Sequence, residues 1–256
     1  MPAQQLNVFN LPGHIAEQEL AGSTVIVIDL LRATTTICHA LAAGAREVIP
    51  FREIEETLAA AQKAGRDQVI LGGERGGTLI DGFDLGNSPA EFTQEAVGGR
   101  PVYITTTNGT WALYHARLAR RVLVGAIVNL TAIVESVKDE PRVDILCAGT
   151  GGEETLEDIL CAGAIVDRLA RTPGVGDFKM NDAAMFSGTQ WSMLRAKAEV
   201  ANRPLREQLA LKLRDTLGGR NLIEVGNDGD LADCAQIDRL NIVPELDVPN
   251  WRITVR

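Results

Sequence analysis

Carboxylates near predicted turns are the groups in this sequence that could carry out chemistry. Hard cations such as Mg²⁺ prefer one or two carboxylates together with water and phosphate oxygens, so a set of acids of this kind is sufficient for a metal site. No nucleophile is paired in the sequence with any of the three histidines, and general-base catalysis therefore falls to carboxylates. The acids placed near turns are Asp29, Glu74, Asp84, Glu157, Asp158 and Asp182.

Two of these acids also have a purely structural interpretation. Glu157 and Asp158 are predicted in the first turn of a long helix, where the helix dipole favours negative charge. This pair could therefore bind a metal or could serve only to stabilise the helix end.

Two motifs resemble known phosphate chemistry only in part. The segment CAGTGGE begins at Cys147, but Glu153 stands where a phosphate-binding arginine would be needed, so we interpret Cys147 as a buried packing thiol. The segment DLLRAT begins at Asp29 and resembles aspartyl-phosphate hydrolases, but Leu31 stands where those enzymes have a second acid. A metal ligand is the favoured role for Asp29.

The element that must position Asp29 is a continuous β-branched run. Residues 24–36 read TVIVIDLLRATTT, which predicts a strand buried between two helical layers, followed by a polar cluster at its carboxyl end. Ligands bind at that edge in open α/β sheets. Segments 69–77, 102–110 and 143–152 repeat this plan. The alternation of strands and helices predicts an α/β fold with three layers, α/β/α, and a parallel or mixed central sheet.

The predicted elements cover most of the chain. Strands are predicted at residues 6–10, 24–29, 47–51, 68–71, 101–105, 121–124 and 142–147, with closing strands at 241–243 and 251–255. Helices are predicted at 34–43, 53–64, 109–119, 129–137, 155–171 and 181–197, with short helices in 203–236 joined by Gly218-Gly219 and by residues 226–229.

Three local features complete the prediction. Six glycines in residues 72–88 indicate a long ordered loop, and loops of that length are usually functional. Ser88-Pro89 predicts a sharp helix start, with Glu91 completing a capping box. Thr155 and Asp158 predict a second capping arrangement.

Size and composition favour a single domain spanning residues 1–256. A net charge of -9 argues against nucleic acid and anionic membranes as partners, because both would repel the chain. The four cysteines lie in apolar contexts without zinc spacing, which is typical of reduced thiols in a cytoplasmic protein. No signal peptide is recognised, no apolar run reaches the ~18 residues of a membrane span, and a homo-oligomer is left open.

Six segments, in this order along the chain, together resemble the 2-phosphosulfolactate phosphatase (ComB) family. The resemblance covers nearly the whole chain and implies a three-layer α/β/α fold. It also implies Mg²⁺-dependent hydrolysis of 2-phospho-3-sulfolactate, or a closely related phosphorylated hydroxy acid, to 3-sulfolactate and phosphate, a reaction of coenzyme M biosynthesis. The six segments are VIDLLRATT (27–35), LGGER (71–75), GFDLGNSP (82–89), TTTNGT (105–110), CAGT (147–150) and LED (156–158) followed by Ala162-Gly163.

The resemblance also implies a set of site residues. Asp29, Arg32, Glu74 and Asp158 are the expected catalytic residues, and Asp29, Asp158 and Glu157 the expected Mg²⁺ ligands. A substrate with phosphate, sulfonate and carboxylate groups needs compensating cations and hydrogen-bond donors on an acidic protein. The expected substrate-binding residues are Arg32, Arg75, Thr105, Thr106, Thr107, Asn108 and Asn87.

The sequence is also compatible with two other functions. A Mg²⁺-dependent lyase or isomerase could use the same metal and arginines to stabilise an enolate. A non-catalytic protein could use the same pocket only to bind an anion. For the phosphatase itself, direct in-line attack by water at the metal is the hypothesis chosen over a covalent intermediate.

Overall fold

In the computed structural model, residues 4–172 and 178–255 are described. The strands are β1 Gln4–Phe9, β2 Thr24–Ile28, β3 Glu47–Phe51, β4 Ile70–Arg75, β5 Thr78–Leu79, β6 Pro101–Thr105, β7 Arg121–Val124, β8 Arg142–Cys147, β9 Phe178–Met180, β10 Pro244–Asp247 and β11 Arg252–Val255. The α-helices are α1 Ala33–Ala42, α2 Ile54–Ala64, α3 Gln94–Val97, α4 Gly109–His115, α5 Leu130–Val137, α6 Leu156–Arg171, α7 Asp182–Val200, α8 Leu205–Leu213, α9 Leu217–Glu224 and α10 Asp230–Cys234.

All of these strands form one mixed sheet in the order β5-β4-β6-β3-β11-β10-β7-β2-β8-β1-β9. Strands β4, β6 and β3 are parallel to one another, and so are β7, β2, β8, β1 and β9. The hairpin β10–β11 lies between the two groups and is antiparallel to its neighbour on each side. The prediction of an α/β fold with a mixed sheet is confirmed.

The hairpin makes the two parallel groups run in opposite directions. In a flat sheet their carboxyl ends would lie at opposite edges, yet the N–H of Gly151, after β8, donates to Oδ1 of Asn108, after β6, at 3.2 Å. The sheet is therefore strongly twisted or bent, and strand pairs contribute ~20–25° each to such a twist. Few residues pair where the hairpin meets β3: in the described residues, Ile253 of β11 and Val48 of β3 form the single pair between these strands.

The central strands are covered on both faces. Every residue of β2 is buried, and so are Val143 to Cys147 of β8. Because successive side chains of a strand point to opposite faces, complete burial requires packing on each side of the sheet. This burial agrees with the predicted three-layer arrangement.

The predicted loop 72–88 is in part a strand. β4 continues to Arg75 and pairs with the short strand β5. The glycines that suggested a loop instead allow close packing: a Cβ on Gly73 would lie 2.1 Å from the carbonyl oxygen of Thr105 on β6. Glycine in a strand often marks such a close backbone approach.

The predicted helix start at Ser88-Pro89 was wrong. Only a short 3₁₀ turn, Pro89–Glu91, forms there, and Ser88 makes no capping hydrogen bond. Tertiary contacts use these side chains instead: the hydroxyl of Ser88 donates to Asp230, and the carboxylate of Glu91 accepts from the N–H of Gly86.

The predicted link at Gly218-Gly219 was also wrong, because both glycines lie inside α9. Thr216 caps this helix by accepting from the N–H of Gly219 at 3.2 Å. A Cβ on Gly219 would lie 1.7 Å from the carbonyl oxygen of Leu213, so glycine is required here by packing and does not end the helix.

Smaller corrections concern element boundaries. The closing strand predicted at 241–243 lies at Pro244–Asp247, the helix predicted to 119 ends at His115 and continues as a 3₁₀ turn, and strand β9 was missed. Thr155 makes no capping hydrogen bond. The other predicted helices and strands outside 203–236 agree within one to three residues. Within the described residues, no helix has the length and apolar character needed to cross a membrane.

Candidate active site

A cavity of about 420 Å³ lies where the segments following β2, β4, β6 and β8 meet, and α9 forms a further wall. Arg32 is the only basic side chain among the described residues that line it, whereas three lining side chains are acidic. Six of the residues predicted from sequence line the cavity: Asp29, Arg32, Glu74, Asn87, Thr107 and Asn108.

Asp29 follows the last residue of β2 and is fixed by its own loop. The N–H of Asp29 donates to the hydroxyl of Thr34 at 3.1 Å, and that hydroxyl donates to the carbonyl oxygen of Asp29 at 2.9 Å. A Cβ on Gly109 would lie 2.7 Å from Oδ2 of Asp29, so glycine allows the start of α4 to approach the carboxylate. Backbone hydrogen bonding and close packing therefore hold this carboxylate in place.

The carboxyl group of Asp29 is nearly buried. The pKa of Asp29 is raised from 3.8 to about 7. Burial is the largest cause, the negative charges of Glu74 and Glu157 add to it, and the N–H of Ala33 and the charge of Arg32 oppose the shift. Burial and nearby negative charges destabilise the ionised form of this carboxyl group, so it will bind a proton or a cation near neutral pH.

Glu74 connects two of the loops. Its Oε2 accepts from the N–H of Gly77 at 2.7 Å and from the hydroxyl of Thr107 at 3.2 Å, and its Oε1 accepts from the N–H of Thr107 at 2.7 Å. These donors fix both carboxylate oxygens at the cavity wall. The turn that supplies one of them requires glycine, because residue 77 has a φ angle of +82°.

Arg32 is held in the wall by two acceptors. It is 3% exposed, and its Nη1 donates to Oδ2 of Asp230 at 2.6 Å while its Nη2 donates to the carbonyl oxygen of Gly77 at 3.0 Å. Oδ1 of Asp230 accepts from the hydroxyl of Ser88 at 2.5 Å. The guanidinium of Arg32 is thus anchored by Asp230, which lies in the C-terminal part of the chain and was not predicted from the sequence.

Asp158 lies behind the cavity wall. Its Oδ1 accepts from the N–H of Leu30 at 2.8 Å and its Oδ2 from the N–H of Gly149 at 3.0 Å. Burial, followed by the charges of Asp29 and Glu157, raises the pKa of Asp158 well above its ordinary value. Asp158 therefore joins the loops after β2 and β8, which is more than stabilisation of a helix end.

Glu157 has one satisfied and one unsatisfied oxygen. Its Oε1 accepts from the N–H of Gly218 on α9 at 2.9 Å, whereas its Oε2 is buried without a hydrogen-bond partner in the described part of the chain. Burial raises the pKa of Glu157, and hydrogen bonds from its own N–H, Thr216 and Gly218 oppose this shift. A buried carboxylate oxygen without a partner is available to a cation.

Three predicted substrate-binding residues do not line the cavity. The guanidinium of Arg75 donates to the carbonyl oxygens of Glu74 and Arg52, at 2.8 and 2.9 Å, and to the hydroxyl of Thr105 at 2.9 Å. Thr105 is fully buried, and Thr106 exchanges hydrogen bonds with Thr110. These residues support the loop that carries Thr107.

Several lining residues were missed by the sequence analysis. Those on α9 gave no signal, because a helix residue becomes part of a cavity only through tertiary packing. Gly76, Gly77 and Gly151 lie in turns and have positive φ angles of 59°, 82° and 61°. Glycine favours such angles, so the clustered glycines in the sequence could have indicated these turns. The residues missed are Leu31, Gly76, Gly77, Thr150, Gly151, Gly218, Asn221, Leu222, Glu224 and Val225.

The donor set fits magnesium in part. No three His, Cys, Asp or Glu side chains in residues 4–172 and 178–255 are grouped so as to hold a metal by themselves. Mg²⁺ does not require such a cage, since it usually takes one or two carboxylates and completes its shell with water and substrate phosphate. Asp29 and the unpaired, buried Oδ1 of Asn87 are hard oxygen donors at the cavity. The unpaired Oε2 of Glu157 is a third such oxygen, although Glu157 is not among the residues that line the cavity.

The raised pKa of Asp29 predicts a pH-dependent stability of the metal-free protein. Between pH 3.8 and about 7 the folded state holds a proton that the unfolded state has released, so the free energy of unfolding falls as pH rises through this window. The full contribution is on the order of 4 kcal/mol. Denaturant unfolding in EDTA should show Asp29→Asn to be more stable than wild type near pH 8, with a difference that shrinks toward pH 4. An equal difference at both pH values would contradict the assigned burial of the charge.

Comparison with known proteins assigns the chain to a family. The family model described as 2-phosphosulpholactate phosphatase matches residues 9–249. The chain belongs to this family. All residues that line the cavity lie within the matched segment, so the family match includes the complete candidate site.

Relatives of similar length support this assignment. A protein of Symbiobacterium thermophilum named probable 2-phosphosulfolactate phosphatase is 41% identical over 228 residues, which is 89% of this chain and 92% of the relative. Proteins of the same name from Caldanaerobacter subterraneus and a Synechococcus species are 36% and 37% identical, each over 94% of this chain and 95% of the relative. The similarity to these 2-phosphosulfolactate phosphatase relatives therefore extends over nearly whole chains.

Proposed function

We propose that the chain hydrolyses 2-phospho-3-sulfolactate, or a closely related phosphorylated hydroxy acid, to 3-sulfolactate and phosphate with Mg²⁺ as cofactor. The observation that carries this proposal is the pairing of buried carboxylates with one buried guanidinium at a cavity, in a chain of the 2-phosphosulfolactate phosphatase family. Phosphoryl transfer depends mainly on positioning and charge neutralisation. This wall offers the positioning, and a bound cation would supply the neutralisation.

The charge of the cavity supports a bound cation. Asp29, Glu74 and Glu224 line it, and the charge of Arg32 is already paired with Asp230. A substrate with several negative groups would be repelled unless a cation were present. Asp29 and Oε2 of Glu157 would hold Mg²⁺, which when bound offsets the charge on the phosphoryl group. A metal-binding role for Asp158 stays a prediction.

The remaining polar residues have distinct roles in this proposal. Arg32 donates to phosphoryl oxygens, because a guanidinium matches them with paired N–H groups. Glu74, whose oxygens are fixed, accepts a hydrogen bond from the attacking water and orients it. Asn108 uses its Oδ1 for the N–H of Gly151, so its Nδ2 donates to the carboxylate or sulfonate of the substrate.

Cys147 is excluded from these roles by its surroundings. It is fully buried at the end of β8, and burial followed by the charge of Asp158 raises the pKa of the Cys147 thiol well above its ordinary value. All four cysteines are buried and free in the described chain, as predicted. A protonated thiol is a poor nucleophile.

Replacement of Cys147 by Ser should therefore leave kcat within about tenfold of wild type, a loss that reflects packing rather than chemistry. Rapid quenching of the wild-type reaction should trap no phosphate on the protein. A stable phosphoenzyme, or loss of all turnover in a Cys147→Ser variant with a wild-type melting temperature, would contradict direct attack by water.

The proposed function is tested by phosphate release from a panel of phosphorylated hydroxy acids. The panel compares 2-phospho-3-sulfolactate with 2-phospholactate, which lacks the sulfonate, and with 3-phosphoglycerate. We expect the highest kcat/KM for the sulfonated ester. Absence of phosphate release from every ester in the presence of Mg²⁺ would reject the proposal, and a changed carbon skeleton without free phosphate would favour a lyase or isomerase.

A further inference from the structure

Arg32 has more hydrogen-bond donors than the protein uses. A guanidinium has five N–H groups. One on Nη1 donates to Asp230 and one on Nη2 to Gly77, and the other three have no acceptor in the described residues. Because Arg32 is 3% exposed and lines the cavity, the cavity is the space in which these three donors can find a partner.

Asp230 is itself held firmly. It is 5% exposed at the start of α10, and each of its oxygens has a separate partner, Ser88 at 2.5 Å and Arg32 at 2.6 Å. The carbonyl oxygen of Gly77 also accepts from Nδ2 of Asn227 at 3.3 Å. Asp230 thus fixes Nη1 of the guanidinium directly, and Asn227 helps to hold the carbonyl group that fixes Nη2.

We propose that Asp230 is a positioning residue that orients the guanidinium of Arg32 toward the phosphoryl group. This inference rests on the proposed phosphatase function, and it adds a residue that lies far from Arg32 in sequence. A charge-assisted hydrogen bond restricts rotation of the planar guanidinium about its long side chain, so less freedom is lost when the substrate binds. Asp230 acts through Arg32 and touches no reacting atom.

Charge alone predicts the opposite effect of removing Asp230. Without this carboxylate the cavity would be less negative, and an anion would bind more tightly. If Asp230 acts by positioning, Asp230→Asn should instead lower kcat/KM by about 10- to 100-fold, because misplacement by about 1 Å has effects of this size. The two effects differ in sign, which makes the variant informative.

A double-mutant cycle provides the main test. In wild-type background, Asp230→Asn should lower both kcat/KM and the affinity for inorganic phosphate, measured by calorimetry in Mg²⁺. In an Arg32→Lys background the same change should alter each quantity by less than about threefold, because the group that Asp230 orients is already gone. Equal factors in both backgrounds, or no loss in the wild-type background, would overturn the inference.

Matched variants separate positioning from unfolding. Ser88→Ala removes the second anchor of Asp230 while keeping its charge, and it should lower kcat/KM less than Asp230→Asn does. Asp233→Asn changes another acid of α10 outside the cavity and should leave kcat/KM unchanged. A loss in Asp233→Asn as large as in Asp230→Asn would assign the effect to α10 as a whole and overturn the inference.

The two proposals can fail separately. Phosphate release with an additive cycle would reject the positioning role and leave the phosphatase function standing. No phosphate release, together with non-additive effects on inorganic phosphate affinity, would reject the phosphatase function and retain the positioning of Arg32 by Asp230.

Discussion

Replacement of Asp29 by Asn is expected to lower kcat/KM for 2-phospho-3-sulfolactate by about 10³-fold, the size typical of losing one well-placed charged group at a reaction centre. Asp29 is a nearly buried carboxylate that lines the cavity and is proposed to hold Mg²⁺ together with Glu157. Asparagine keeps the size of the side chain but removes its charge. Phosphate release at saturating Mg²⁺ measures the effect.

Loss of folding would not explain this result. The raised pKa of Asp29 means that its charge opposes folding near neutral pH, so Asp29→Asn should melt at a higher temperature than metal-free wild type. Asp81→Asn serves as the control, since Asp81 is an exposed acid that does not line the cavity. Turnover of Asp29→Asn close to that of the control would remove Asp29 from the reaction.

Replacement of Arg32 by Lys should lower kcat/KM by about 10²-fold, whereas the same replacement of Arg75 should reduce it by less than about tenfold. Arg32 lines the cavity with donors that have no acceptor in the described residues, whereas Arg75 donates to three groups of the protein. Lysine preserves the charge in both variants, so the comparison isolates the planar donor geometry. Steady-state kinetics with the same substrate provides the measurement.

Arg75→Lys should affect stability more than turnover. The variant loses hydrogen bonds to Glu74, Arg52 and Thr105, and a destabilisation of about 1–3 kcal/mol follows from unsatisfied acceptors of this kind. Equal kinetic losses in Arg32→Lys and Arg75→Lys, with equal melting temperatures, would mean that the cavity does not distinguish the two arginines.

Part of the cavity wall could be predicted from the sequence. Asp29 directly follows an apolar strand, Thr107 lies two residues after the end of another, and Glu74 lies near the end of a third. A run of this kind indicates both the strand and the polar end that faces a ligand. The relative directions of the strands could not be predicted in this way. Periodicity does not reveal that the hairpin β10–β11 reverses the sheet between β3 and β7.

The other side of the site could not be predicted, because it depends on tertiary contacts. Asp230 contacts Arg32 from 198 positions further along the sequence, and no local pattern distinguishes it from other acids of the C-terminal helices. Gly218 supports the site for a similar reason: a Cβ there would lie 2.2 Å from Oε1 of Glu157, a contact that exists only after α9 packs on α6. Arg75 shows the reverse case: sequence does not reveal that this arginine donates its hydrogen bonds to groups of the protein.

Metal-dependent phosphate release from 2-phospho-3-sulfolactate is the decisive measurement for a Mg²⁺-dependent phosphatase site at this cavity. The purified protein is assayed after treatment with EDTA and again after stepwise addition of Mg²⁺, with Asp29→Asn assayed in parallel. We expect no release in EDTA, full recovery with Mg²⁺ in wild type, and at most slight recovery in Asp29→Asn. Undiminished release in EDTA, or equal recovery in the two proteins, would contradict a Mg²⁺-dependent phosphatase site at this cavity.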